Sequence, residues 1–235
     1  MELIFLDTET TGNDLKKDRL CQICYKTSKE TKVGYFKPPI PVSVKSMSIT
    51  HITNRMLEDK ETFIDSLMYK DLKELISEGI VVAHNAIFDK AMLESEGIQV
   101  PKFICTLRLA RFLDNGDVIP EYSLQYLRYY LDLEVQGSAH DAEGDVNVLF
   151  ALFNRLFAKI KETEINDESV LNKMIKISST PSLFTKFNFG KHKDKNIEEV
   201  LKYDRNYLEW LLNQKLSSED GDEDWIYTLQ YYLKK

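Results

Sequence analysis

One short stretch constrains this chain more than any other: an apolar run that stops abruptly at two acids. Leu3, Ile4, Phe5 and Leu6 are consecutive apolar residues, the pattern of a strand buried on both faces. Asp7 ends the run, and Thr8, Glu9, Thr10, Thr11 and Gly12 follow. Side chains alternate along a strand, so Asp7 and Glu9 project to the same side. Two ionised carboxylates that close repel each other, and burying them is costly unless a positive charge lies between. A divalent ion supplies that charge, and hard oxygen donors suit Mg²⁺ or Mn²⁺ better than zinc. The polar end of a strand running into a Thr/Gly turn would look the same, so this stretch alone leaves both readings open.

The rest of the chain supplies a scaffold of strands and helices. Two further strands are expected over 19–27 and 31–37, followed by the breaker Pro38-Pro39-Ile40-Pro41. Phe63, Leu67, Met68, Leu72, Leu75 and Ile76 form a helical stripe over 62–78, ended by Gly79. Ile80 to Ala83 reads as another buried strand, with a helix to about Glu96 and then Gly97. A short strand over 103–105 leads into a helix from Thr106, and Ser123 caps a further one. Val146, Leu149, Phe150, Phe153, Leu156, Phe157 and Ile160 mark a long amphipathic helix from Ala142. Three antiparallel strands followed by strand–helix alternation imply an α/β fold, a mixed sheet flanked by helices. A main domain over 1–165, a connecting helix within 166–181 and a small aromatic-rich α+β domain over 182–235 are expected.

Composition sets limits without choosing a function. With 43% hydrophobic and 29% charged residues, the chain is an ordinary globular one. No apolar run approaches the ~20 residues of a membrane span, so no membrane partner is expected. The chain opens into a strand rather than a signal peptide, from which a cytoplasmic location is expected. Cys21 and Cys24 have CxxC spacing, but lie in a strand with no second Cys or His pair to complete a zinc site. A net charge of −7 argues against a general nucleic-acid coater, though not against a nucleic-acid enzyme with an acidic metal site.

Two later stretches repeat the pattern of the first. HNAIFD, ending at Asp89, follows the strand at 80–83, and HDAEGD, from His140 to Asp145, opens the long helix. Ligand sites in open α/β sheets gather at strand ends, so the three could share one cleft. Asp7, Glu9, Asp89 and Asp145 could then hold two divalent ions, with His140 able to take a proton near neutral pH. His84 reads as ordering its turn, and Asp141 as a helix N-cap.

At these residues the chain resembles the DEDDh 3′–5′ exonucleases, the superfamily of polymerase proofreading subunits. DTETTG, HNAIFD and HDAEGD fill its three motifs in order. SMSITHITNRMLEDK, ICTLRLARFL and PSLFTKFNFGKHKDKNIEEV with YLEWLL are similar to members of the exonuclease X type, including their small C-terminal domain. The resemblance implies a ribonuclease H-like fold, Mg²⁺ or Mn²⁺ dependence, and release of 5′-mononucleotides from DNA 3′ ends. It implies Asp7, Glu9, Asp89 and Asp145 as metal ligands and His140 as general base. It places Thr10, Thr11 and Gly12 against the terminal nucleotide, with Phe88 as a wall and His51 on a nearby loop. That loop departs from the family pattern, reading His51-Ile52-Thr53 where many relatives have His-Gly-Ile-Thr. RNA 3′-end trimming is the alternative within the class. A non-catalytic nucleic-acid-binding module or a polymerase proofreading subunit is the alternative outside it.

Overall fold

The computed structural model describes residues 2–114, 116–135, 142–218 and 222–234. They form two compact units, Met1–Ala110 with Glu121–Ser179, and Arg111–Pro120 with Thr180–Lys235.

In the first unit the described residues contain five strands: β1 (Leu3–Thr10), β2 (Leu20–Lys26), β3 (Thr31–Tyr35), β4 (Ile80–Ala83) and β5 (Phe103–Cys105). Their order across the sheet is β3-β2-β1-β4-β5. β2 runs antiparallel to β1 and β3, whereas β4 runs parallel to β1 and β5. β1 is therefore central, which explains its unbroken apolar run: Ile4, Phe5 and Leu6 are all buried. A register shift between Glu9 and Thr10 ends its regular pairing with β2, a bulge that re-aims side chains at a strand terminus.

Helices α1 (Val44–Thr50), α2 (Asn54–Leu57), α3 (Leu67–Glu78), α4 (Ala86–Ser95), α5 (Thr106–Leu113), α6 (Leu124–Tyr130), α7 (Ala142–Lys161) and α8 (Asp167–Ser178) follow. α3 begins later than the stripe predicts. The Ser66 hydroxyl accepts from the Tyr69 N–H and donates to the Phe63 carbonyl, so Phe63 is buried in the preceding turn instead. α7 packs on β1 and β2, where Phe150 and Phe153 meet Phe5 edge-on at 4.9 and 5.2 Å between ring centres. The helix expected as a connector, α8, is a packed element of this unit. An Asn166–Ser169 capping box starts it, and Val170, Met174 and Ser178 are buried. The Ser178 hydroxyl accepts from the Cys105 N–H at 2.8 Å, and its carbonyl from Arg108 Nη1 at 2.8 Å. Cys21, Cys24 and Cys105 are buried free thiols, and burial pushes the Cys21 thiol up to about 12, which makes it inert.

The second unit contains α9 (Ile197–Tyr203), α10 (Arg205–Ser217) and α11 (Glu223–Leu233). Its strand content among the described residues is a single antiparallel bridge between Lys186 and Asn196, enclosing the turn at Gly190. Phe187, Ile197, Val200, Leu208, Trp225 and Leu229 are central to its core. Arg111 pairs with Asp224 at 2.6 Å, adding the 111–120 segment to this unit. No helix among the described residues is long and apolar enough to cross a membrane.

Candidate active site

β1 carries Asp7 and Glu9 at its C-terminal end, and α7 brings Asp145 to them from its first turn. One carboxylate oxygen of each lies within 4.8 Å of those of the other two. Asp89 enters from the first turn of α4, directly after β4, the parallel neighbour of β1. Parallel strands finish at the same edge of a sheet, so residues far apart in sequence converge there.

Electrostatics shows what such proximity costs. Burial and then the charges of Asp89, Glu9 and Asp145 hold Asp7 well above the usual carboxylate range. Glu9 is pushed up to about 7 by burial and by Asp145 and Asp89. Asp89 is raised by burial, against the lowering effect of its hydrogen bonds. Among the described residues, the influences on Asp7 and Glu9 are thus burial and other carboxylates, with no neighbouring cation among them. Closely spaced oxygen donors that repel one another in this way suit a hard divalent ion. Asp7, Glu9 and Asp145 are the residues that could hold it, with Asp89 beside them.

Two further residues support these acids. The Thr8 hydroxyl donates to Asp89 Oδ1 at 2.7 Å, joining β1 to α4. Gln125 Nε2 of α6 donates to Asp145 Oδ1. Thr8 stood between the two acids and was legible as a candidate, whereas Gln125 had no local signal.

His140 and Asp141 lie outside the described residues. Thr10 and Thr11 are buried. The Thr10 hydroxyl donates to the Gly12 carbonyl at 2.6 Å. The Thr11 hydroxyl donates to Asp18 at 2.7 Å and accepts from the Arg19 N–H at 3.1 Å, while its carbonyl accepts from Ser43 and Ser46. Thr11 therefore shapes the turn and has no polar group left over for a nucleotide. Gly12 leaves room for the Asp18 carboxylate, which a Cβ would meet at 2.3 Å. Phe88 is partly buried and packs against the core of the first unit. His51 is exposed and closes α1 at φ 60°, its N–H donating to the Met47 carbonyl at 3.0 Å. Both ring nitrogens of His84 are engaged, with Thr106 Oγ1 at 2.9 Å and the Tyr122 carbonyl at 2.8 Å, so it orders its turn.

Comparison with known proteins agrees with this architecture. The family model described as Exonuclease matches residues 4–153, and one described as Exodeoxyribonuclease X-like C-terminal matches 187–215. Exodeoxyribonuclease 10 of Escherichia coli is 30% identical over 201 residues, covering 84% of this chain and 82% of that protein. The DNA polymerase III subunit epsilon of Treponema pallidum is 31% identical over 163 residues, covering 65% and 74%. A solved structure of exonuclease X in complex with 5′ overhanging duplex DNA superposes with a TM-score of 0.59 at 26% identity, covering 75% of this chain and 99% of that one. A ribonuclease H-like sheet with acids at its central edge defines a nuclease-type fold. The chain belongs to the exonuclease family, in its DEDDh group, and shares the C-terminal region of the exonuclease X type.

Proposed function

We propose that the protein is a metal-dependent 3′–5′ exonuclease that removes 5′-mononucleotides from DNA. The observation that carries this reading is the meeting of Asp7, Glu9 and Asp145 oxygens within 4.8 Å, with Asp89 near enough to raise Asp7 and Glu9. Two Mg²⁺ or Mn²⁺ ions are the proposed occupants, held by Asp7, Glu9, Asp145 and Asp89. When bound, such ions supply Lewis acidity and positive charge to a phosphodiester under attack.

The chain's own residues do the rest. Thr8 and Gln125 hold the Asp89 and Asp145 carboxylates in place, as preorganised catalysis requires. A ring nitrogen of His140 takes the proton of a water whose oxygen bonds to the terminal phosphorus. The P–O3′ bond breaks, the 3′ oxygen of the shortened strand takes a proton from solvent, and the nucleotide leaves with its 5′ phosphate. Thr10, Thr11 and Gly12 form the turn beside the terminal nucleotide, with Thr11 as a positioning residue, and Phe88 and His51 flank the path of the strand. DNA is the proposed substrate because the E. coli relative is called an exodeoxyribonuclease and the superposed exonuclease X structure holds DNA.

The test uses purified protein, Mg²⁺, and 5′-labelled DNA and RNA of matched sequence, with 3′ ends free or phosphorylated. A one-nucleotide ladder on DNA is expected, lost on chelation and in Asp7→Ala. Faster trimming of RNA would transfer the assignment to RNA 3′ ends. An inactive wild type that still binds DNA would leave a binding module, and activity gained only with a polymerase would make it a proofreading subunit.

A further inference from the structure

The second unit carries a surface that the active site does not use. Residues 186–195 hold Lys186, Lys191, Lys193 and Lys195 against one acid, Asp194, in a chain of net charge −7. Beside this turn, aromatic rings form a continuous row. Lys195 Nζ lies 5.8 Å from the centre of the Tyr203 ring, which lies 5.8 Å from His192. His192 is 4.8 Å from Tyr207, and Tyr207 is 5.6 Å from Trp210 with the planes tilted by 32°. Lys191 Nζ lies 4.8 Å from the centre of Tyr207.

The two ends of this row do not serve the core. Tyr203 is 61% exposed and Trp210 53%, and neither belongs to the cluster around Phe187 and Trp225. Two large rings left mostly in water at the ends of the row, with buried His192 and partly buried Tyr207 fixing them from between, call for a reason beyond folding. Neighbouring acids are largely neutralised or distant. Asp204 pairs with Lys191 and His192, both at 2.7 Å, and Glu209 with Arg205 at 2.9 Å. Glu198 and Glu199 occupy the first turn of α9, the end opposite Tyr203.

We propose that this row is a stacking platform for single-stranded nucleic acid. Unpaired bases stack on exposed aromatic faces while lysines meet the intervening phosphates, a combination that binds without reading sequence. A rigid support suits that task, and the turn has one. Gly190 adopts φ +70°, and a Cβ there would meet the Tyr207 hydroxyl at 2.6 Å, so the lysine turn sits hard against the aromatic row. The inference rests on the proposed exonuclease function only for the choice of polynucleotide over another polyanion.

The test measures binding and chemistry separately in the full chain. Binding of a fluorescein-labelled oligothymidylate of about twenty residues, ample for one such platform, is followed by anisotropy in chelator. Hydrolysis of the p-nitrophenyl ester of thymidine 5′-monophosphate, a substrate with a single base, is followed in Mn²⁺. Tyr203→Ala/Trp210→Ala is expected to weaken oligonucleotide binding by about tenfold or more and to leave ester hydrolysis unchanged. Lys193→Gln/Lys195→Gln is expected to flatten the log K against log[salt] slope by about one. Oligonucleotide binding within twofold of wild type in both variants would overturn the proposal and leave the row to a protein partner. An equal loss of ester hydrolysis would also overturn it, since damage to the fold would then explain both. A wild type that cannot cleave the ester but binds the oligonucleotide through Trp210 would refute the exonuclease reading and support this one.

Discussion

Replacing Glu9 with glutamine sets folding against function. Glu9 is pushed from its ordinary 4.5 to about 7 by burial and by Asp145 and Asp89. A carboxyl raised in the fold binds its proton more tightly folded than unfolded. Its contribution to stability is therefore intact below about pH 4.5, declines as pH rises, and is fully lost above about pH 7. At ~1.4 kcal/mol per pH unit the loss is roughly 3 kcal/mol, and partial exposure to solvent trims it to roughly 2–3 kcal/mol. Glutamine keeps the shape and cannot ionise, so Glu9→Gln recovers this amount in metal-free protein at pH 8 and nothing near pH 4.5. For a unit of this size that is a rise in Tm of about 5–10 °C. Added Mg²⁺ reverses the order, because a ligand held by the native state alone stabilises it and the variant has lost a donor. The assay is thermal unfolding of both proteins in chelator at pH 5 and pH 8, repeated with Mg²⁺. A Glu9→Gln protein no more stable than wild type in chelator at pH 8 would refute the reasoning. So would a gain that persists undiminished at pH 5.

Other residues give narrower predictions. Thr8→Val removes the 2.7 Å hydrogen bond to Asp89 while keeping shape; a hydrogen bond to a charged group is worth ~1.5–3 kcal/mol, so kcat/KM for the p-nitrophenyl ester falls at least tenfold. An unchanged rate would show that Asp89 needs no support from β1. His140→Ala is expected to retain Mn²⁺ binding by calorimetry and lose most turnover, and lost Mn²⁺ binding would move His140 from base to ligand. Gly190→Ala, at φ +70° and with a Cβ 2.6 Å from the Tyr207 hydroxyl, destabilises the second unit by about 1–3 kcal/mol. Adding Tyr207→Phe recovers part of this in urea unfolding, and no recovery would place the cost in the backbone alone.

What could be read in advance, and what could not, follows from how far each property depends on neighbours. The Ile4–Leu6 run and the acids after it were legible because strand alternation and burial are local consequences of residue order. Convergence of Asp7 and Glu9 with Asp89 was legible because the parallel strands β1 and β4 finish at one edge, whereas Asp145 reaches them from helix α7. Packing choices had no such local cause. The α8 stripe is compatible with a free connector, and only the Ser178 bonds to Cys105 and Arg108 make it part of the first unit. The turn after β1 illustrates the same limit at the site itself. The resemblance places its threonines beside the terminal nucleotide, and the fold adds that Thr11 is held by Asp18, Arg19, Ser43 and Ser46. His51 takes the left-handed conformation at the end of α1, φ 60°, in the loop that lacks the family's glycine. That backbone region costs a non-glycine residue roughly 1 kcal/mol, so the end of α1 places local strain on His51. The motifs identify which acids a nuclease of this kind carries. Thr8, Gln125 and the turn built on Thr11 determine where those acids and their loop are held, and that information is distributed over the whole fold.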